Sequence, residues 1–336
     1  MQKLPPSYAN KLLCLIDTTK PDLFFSLVDY RNNYFTSDYL NKIIEFYNGF
    51  ESRDQLIQWM KERPKGVANI HEVEGDKDII VVITTADFNG KYAKECRENI
   101  FKGLHMVFVE SGGREDFYFN YAHNCNLGVK KAMEYNPKWV IVSNDDIYSI
   151  DPISKLRYEL KLIEPYNTVV LKKDPSNLRR TLLFKTFEPM HNATVVKPNA
   201  YIRIKFSLYY RVNFSLLLRK FTINLLGAWV SKSRLFLIGG QKTFPGTGGS
   251  FSIYSADIFR EMPDFLDETF INDTEDIELS YRLHRSGFRY IVADFTVGNI
   301  GGATLSSSVR NRSLRGVASC AYFNWQLEND KFFTNM

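Results

Sequence analysis

Two groups of carboxylates stand where this chain can do chemistry. Asn144-Asp145-Asp146 follows the apolar run Trp139 to Val142, and carboxylates carried out of a buried strand are costly to desolvate unless a metal ion, a basic side chain or water answers them. Hard divalent cations take oxygen ligands and keep waters and substrate phosphates besides, so one or two carboxylates at a strand end can seat a metal-diphosphate. Far downstream, Glu275 and Asp276 open the stretch TEDIELSYRLHRSG (274–287). Both fall in the first turn of an expected helix, where the macrodipole favours negative charge. An ionised carboxylate there can take a proton from a hydroxyl nucleophile. Between the two groups lies GTGGSFSIYS (246–255), whose Gly248 and Gly249 let a ligand approach the backbone closely. It lacks the GxxxxGK[ST] pattern of a P-loop. Each group also has a plain structural reading, since Asn and Asp favour turns and acids cap helices.

These residues need a scaffold, and the hydrophobic pattern supplies one. From Asp78 the spacing predicts a wholly apolar strand at Ile79 to Ile83, a helix over Lys91 to Phe101, a strand at Met106 to Val109, a helix over Tyr121 to Tyr135 and a strand at Val140 to Val142. After the glycines come a strand at Ser250 to Tyr254, a short helix over Ser255 to Met262, a helix over Thr274 to Ser286 closed by Gly287, and a strand at Tyr290 to Ala293. A helical tail from Ser306 carries Tyr322, Phe323 and Trp325. Short β-branched runs separated by amphipathic helices imply an α/β fold with a mostly parallel sheet covered on both faces. Ligands bind such sheets at the carboxyl ends of the strands. Thr84-Thr85-Ala86-Asp87, Glu110-Ser111-Gly112-Gly113 and Asn144-Asp145-Asp146 should therefore meet on one rim.

Composition bounds the class. At 336 residues, with 44% hydrophobic and 24% charged residues, the chain has the balance of a globular protein with a sizeable core. Cys14, Cys96, Cys125 and Cys320 form no CxxC pair, which argues against a disulfide framework or zinc site and for a reducing, cytoplasmic setting. The uncharged stretch from Phe221 to Ser231 is far shorter than the roughly 20 residues that span a bilayer, so no transmembrane helix is expected. The net charge of +5 hides an asymmetry. Between Lys172 and Arg234 stand 13 Lys and Arg against two acids, Asp174 and Glu188, while the remainder carries 30 basic and 36 acidic residues. Within this segment, even positions from Ile202 to Leu216 are apolar and odd ones include Arg203, Lys205 and Arg211, a period-two strand pattern.

At this point the motifs, taken in order, resemble a known family. The strand ending in Thr84-Thr85, the strand ending in Glu110-Ser111-Gly112, the helix with Ala122-His123-Asn124-Cys125-Asn126-Leu127-Gly128 and the strand ending in Asn144-Asp145-Asp146 resemble the nucleotide-sugar half of glycosyltransferase family 2. Gly248-Gly249-Ser250, Phe265 to Phe270, Glu275-Asp276-Ile277-Glu278-Leu279, Arg282 and Gly287 resemble the acceptor half, notably of its rhamnosyltransferase-like members. The likeness covers about residues 78 to 171 and 246 to 304. It implies the GT-A fold and inverting sugar transfer from a nucleoside-diphosphate sugar to a hydroxyl acceptor, a glycan or a lipid-linked one. By position it places Thr84, Thr85 and Glu110 at the nucleoside, Asn126 near the nucleotide, Asp145 near the ribose or donor sugar, and Gly248 and Gly249 at the ligand. Asp146 would hold Mn²⁺ or Mg²⁺, Asp276 would be the general base, and Glu275 would orient it or the acceptor. The chain departs from many members in having Glu110 for an aspartate, and in having Asn299, within GNIGGAT (298–304), for a histidine. Asn299 is the expected second metal ligand through its carbonyl oxygen.

The expected organisation is a helical accessory region at 1–74, with helices over Tyr39 to Tyr47 and Asp54 to Arg63 capped by Ser37 and Ser52. A nucleotide-sugar half at 75–171, a basic amphipathic insertion at 172–245, an acceptor half at 246–304 and a helical tail at 305–336 follow. The insertion can lie against an anionic bilayer or pack as an extra sheet; no nucleic-acid partner is expected. Two other classes compete: a sugar-phosphate nucleotidyltransferase, which should carry a Gly- and Arg/Lys-rich loop after the first strand that Thr84 to Gly90 does not resemble, and a non-catalytic membrane or nucleic-acid binder working through the basic insertion.

Overall fold

The computed structural model describes residues 50–111, 118–173, 180–181, 243–244, 246–271, 274–300, 318–319, 321–327 and 329. The expected helix over Tyr39 to Tyr47 and the alternating run from Ile202 to Leu216 lie outside these residues.

The first helix, α1 (Arg53–Glu62), begins where Ser52 accepts a hydrogen bond from the Gln55 amide, as the capping pattern predicts, and buries Leu56, Ile57 and Met60. Next come β1 (Asn69–Val73), β2 (Asp76–Thr85) and α2 (Lys91–Glu95), which continues as a π turn over Cys96–Ile100. They are followed by β3 (Leu104–Glu110), α3 (Tyr121–Met133), β4 (Trp139–Asn144), β5 (Ile147–Ser149), α4 (Ile153–Lys161) and β6 (Thr168–Leu171). After the short strands β7 (Arg180–Thr181) and β8 (Thr243–Phe244) the chain forms β9 (Phe251–Ser255), α5 (Asp257–Glu261), α6 (Glu275–Arg285), β10 (Arg289–Val292) and β11 (Val297–Asn299). Residues 318–319 and 321–327 are helical, with Tyr322 and Phe323 buried.

The central sheet has seven strands in the order β1-β3-β2-β4-β9-β6-β10. β3, β2, β4, β6 and β10 run one way, and β1 and β9 run the other. The molecule is thus an α/β structure with a mostly parallel sheet. β1 differs from the expected organisation: it falls in the stretch read as helical, yet it pairs with β3 over Asn69 to Val73. Its exposed and half-buried side chains carry no strong periodic signal, and its place as the edge strand paired with β3 decides its conformation. The basic insertion leaves and re-enters at one place, because β7 and β8 pair antiparallel through Arg180–Phe244 and Thr181–Thr243.

Strand parity divides the core into two layers. Ile79, Val81 and Ile83 of β2 pack with Met106, Phe108, Trp139 and Ile141 against Ala93, Cys96, Leu156 and Leu160, the face covered by α2 and α4. Ile80 and Val82 pack with Val107, Val140 and Val142 against Ala122, Cys125, Val129, Ile258 and Leu279, the face covered by α3, α5 and α6. Gly128 lets α3 close on the sheet, since a Cβ there would meet Val82 Cγ1 at 2.3 Å and Val109 Cγ2 at 2.9 Å. Gly128→Ala should therefore lower stability by about 1–3 kcal/mol, the usual cost of overpacking, read as a lower urea midpoint at unchanged slope.

Candidate functional site

The same parity sorts the polar residues at the strand ends. Thr85, Glu110 and Asp145 continue the odd–even register of Ile83, Phe108 and Ile141 toward the α2 face. The Thr85 hydroxyl donates to Asp145 Oδ2 at 2.7 Å. Cys96, at the start of the π turn, sets its thiol 3.5 Å from the Asp145 carbonyl. Burial pushes the Asp145 carboxyl up to about 6 and the neighbouring Asp146 adds to the rise, while the Thr85 hydrogen bond opposes it. Asp146 itself is 6% exposed. Its carbonyl accepts from the Ile300 amide at 2.9 Å, and β11 pairs with β5 so that Asn299 lies opposite Ile147. The ladder thus brings the backbones of Asp146 and Ile300 together, while Asn299 is set opposite Ile147 rather than Asp146.

Glu110 sits opposite Thr85 in the β2–β3 register, but its carboxylate already serves the protein. One oxygen accepts from the Phe88 amide at 2.8 Å and the other pairs with His71 Nε2 at 2.8 Å, and these bonds hold its carboxyl below the usual range. The His71 ring stacks on Phe88 with centroids 4.3 Å apart, and the Arg97 guanidinium stands 4.3 Å from the Phe88 centroid. A stacked, cation-flanked aromatic group thereby forms beside Thr85. Sequence reading missed His71, Phe88 and Arg97, because they lie on β1, in a loop and in the π turn and converge only through pairing with β3.

β9 brings the downstream half to the same rim. Because β9 runs against β4, the residues entering it meet the end of β4, and the Asn144 amide donates to the Ser250 carbonyl at 3.0 Å. Gly249 faces α6: a Cβ there would lie 3.5 Å from Asp276 Oδ2. Three bonds fix this contact. Tyr121 donates its hydroxyl to the Gly249 carbonyl, the Thr247 amide donates to Ser280 Oγ at 2.9 Å, and Ser280 donates to the Asp276 carbonyl at 2.5 Å. Glu275 is buried, and its charge adds to the desolvation that raises Tyr121 and Cys125. Asp276 is partly exposed. The helix opens at Thr274 with φ 78°, a left-handed conformation that a β-branched residue rarely takes and that stores strain of the order of 1–3 kcal/mol beside these two acids.

Other expected site residues are placed elsewhere. Asn126 clamps α3 to the loop before α6, donating to the Leu266 carbonyl at 2.8 Å and Glu268 Oε1 at 3.0 Å and accepting from the Leu266 amide at 2.9 Å. Its amide thus performs an anchoring task that its position in the motif does not disclose. Thr84 and Asn144, opposite each other in register, continue the face of Val82 and Val142 toward α3. Gly248 forms a bridge to Phe251 and its carbonyl accepts from Ser252 Oγ at 2.9 Å.

Fold and site together define an α/β protein whose polar strand ends, glycine loop and helix-borne acids share one rim. Compared with models of protein families and with curated proteins, the sequence matches none. Among the described residues no group of three or more His, Cys, Asp or Glu stands ready to hold a metal, and no helix is long and apolar enough to cross a membrane.

The Asp145 carboxyl ionises near 4 in an unfolded chain and near 6 in the folded one, so folding takes up a proton between these values. This contribution to stability is full below about pH 4 and is lost as the pH rises to 6. In metal-free buffer Asp145→Asn should therefore gain on the unaltered protein as pH increases from 4 to 7, by several degrees in Tm, as expected for about 2–3 kcal/mol. A thermal melt at each pH checks the sign.

Proposed function

We propose that this chain is an inverting glycosyltransferase of the GT-A type, moving a sugar from a nucleoside-diphosphate sugar to a hydroxyl of a glycan or lipid-linked acceptor. The observation that carries this reading is the approach of Gly249 to Asp276 at the end of β4. It sets a helix-borne carboxylate across a glycine gap from the Asn144-Asp145-Asp146 strand end. A proton acceptor facing a diphosphate seat is what direct displacement at an anomeric carbon requires.

In this reading Thr85 and Asp145 hold the ribose side of the donor, and the His71–Phe88–Arg97 group offers a flat cationic-aromatic surface to the base. Glu110 positions that surface rather than touching the ligand, since its carboxylate already binds His71 and the Phe88 amide. Asp276 takes the proton from the attacking hydroxyl. Ser280, Thr247 and Tyr121 keep it against the glycine loop. A divalent cation fits the chemistry of the donor set: the carboxylates of Asp145 and Asp146 and the side-chain carbonyl oxygen of Asn299 are hard oxygen ligands carried near one strand end. Two or three protein oxygens with the substrate's phosphates suit Mg²⁺ or Mn²⁺, and such an ion when bound neutralises charge on the departing diphosphate. The excess of Lys and Arg in segment 172–245 suits attraction to an anionic membrane, where a lipid-linked acceptor would be met, and with it a peripheral location at the cytoplasmic face.

Thermal-shift titration with UDP-, GDP- and dTDP-sugars, each with and without Mn²⁺, tests the reading. Stabilisation by one nucleotide family, enhanced by Mn²⁺, is the expected outcome; none from any of them would overturn it. With the responsive donor, Asp276→Asn should reduce transfer at least 10²-fold, the scale of a lost general base, with donor affinity changed less than threefold.

A further inference from the structure

Among the described residues nine large apolar side chains are exposed, and seven of them lie on the flank that runs from the β5–β11 ladder along α4 to the edge strand β10. Single exposed apolar residues are ordinary on a protein surface, whereas a contiguous group marks a contact. Tyr158 of α4 and Leu162 at its C-cap are four residues apart and share the outer face of the helix. With Tyr166 just beyond, they are 62% to 67% exposed. Tyr148 and Ile150 have the same parity, and Ile300 joins their face because its amide meets the Asp146 carbonyl across the ladder. Each of these three is about half exposed, although the Tyr148 ring lies against Gly298. Hydrogen bonds tie the segments together. The Asp151 amide donates to the Thr296 carbonyl at 3.2 Å, and the Asp151 carboxylate accepts from the Thr296 amide at 2.9 Å. Glu159 Oε2 accepts from the Asp294 amide at 3.1 Å, and the Glu164 carbonyl accepts from Arg289 Nη2 at 3.2 Å. Val292, also about half exposed, is held between those two tethers beside α4.

We propose that this flank docks on an anionic phospholipid bilayer, with Tyr158, Leu162 and Tyr166 entering the interface and Tyr148, Ile150 and Ile300 extending the contact toward Asp146. This rests on the membrane location proposed above, not on the sugar chemistry. Charge selects the occupant. Residues 148–166 carry three basic and three acidic residues, so the apolar side chains stand in a neutral stretch. The adjoining sequence supplies the positive charge: the run of 13 Lys and Arg against two acids begins at Lys172. Lys172 Nζ donates to the Val297 carbonyl of β11 at 3.2 Å, and Lys173 pairs with Asp294 at 2.7 Å. Arg180 of β7, seven residues beyond Lys173, stands at most about 25 Å from it. Two acids of the flank are already answered, Asp294 by Lys173 and Lys155, which hold its carboxyl below the usual range, and Asp151 by Lys155 at 3.2 Å. Tyrosine suits the boundary between acyl chains and headgroups, and the exposed Lys161 can reach the headgroups from beside Tyr158 and Leu162. Apolar area combined with attraction to anionic lipid is how a protein holds a bilayer surface without spanning it.

The test is flotation of the full chain with vesicles of phosphatidylcholine alone and of phosphatidylcholine mixed with phosphatidylglycerol. The mixed vesicles should bind at least tenfold more tightly than the neutral ones. Tyr158→Ser with Leu162→Ser should weaken binding to the mixed vesicles at least tenfold, the scale of one buried apolar side chain or more. Tyr148→Ser with Ile150→Ser should weaken it at least threefold, and this second pair keeps the test decisive if the first lowers the melting temperature. Val67→Ser, at an exposed residue before the opposite edge strand β1, should leave binding within twofold. Equal binding by the parent and both paired variants overturns the proposal and leaves the membrane location to the basic segment. Failure of the parent to bind either vesicle overturns both. A chain that sediments as a dimer without lipid, and as a monomer once Tyr158 and Leu162 are replaced, assigns the flank to a second copy and overturns the proposal as well. The thermal-shift response to nucleotide sugars decides the glycosyltransferase reading separately from all of these outcomes.

Discussion

Insertion of β9 against the direction of its neighbours is the constraint on which the candidate site depends. Each of the parallel strands that surround it delivers its carboxyl end to the rim, so the loops after them cluster there. A strand running the opposite way delivers its entrance instead. Gly248, Gly249 and Ser250 thus arrive at Asn144 before β9 is paired with β4 through Ser143–Phe251 and onward. The turn that follows β9 lies at the far edge, and α6 returns to the rim with Asp276 against Gly249. Carboxylates from separate parts of the chain come together because one strand is reversed.

The period of two along each strand then separates functions by face. A single residue step divides Thr84 from Thr85 and Asn144 from Asp145, which moves each neighbour to the opposite layer. On the α2 face stand Asp145, Glu110 and the aromatic group built on Phe88. On the α3 face stand Asn144, Ser111 and Asn124. A polar dipeptide at a strand end consequently sets its two side chains on opposite faces of the sheet although they are adjacent in sequence.

Several bonds at the rim favour geometry at the expense of stability. Asp145 is held where its charge is disfavoured, Thr274 takes a left-handed backbone, and Ser111 Oγ, Asn124 Nδ2 and Asn144 Oδ1 are among the buried polar atoms that lack a hydrogen-bond partner. Each conflicts with the local rule that burial should be apolar or satisfied. The apolar residues of the sheet, Val81, Val82, Phe108 and Ile141, are fully enclosed, while Asp257 Oδ1 and Gln326 Oε1 show that unmet polar burial also occurs away from the rim.

Much of this was legible from the residues. The apolar runs at Ile79, Val140 and Phe251, the Ser52 cap and the Gly287 terminus all announce their elements through local rules, because the relevant forces act over one or two turns. The meeting of Thr85 with Asp145 was also foreseeable in outline from strand-end position. What sequence did not determine is long-range pairing. The edge strand β1, the weakly patterned β5, β6 and β11, and helix α4 went unread, since their conformation is set by partners distant in the chain. For the same reason the chain alone could not say that Glu110 binds His71 and Phe88, or that Asn126 clamps Leu266. Side-chain type and spacing determined which chemistry was available; only the tertiary register decided which oxygens remain open to a ligand, because a hydrogen bond depends on placement to a few tenths of an ångström that no local pattern encodes.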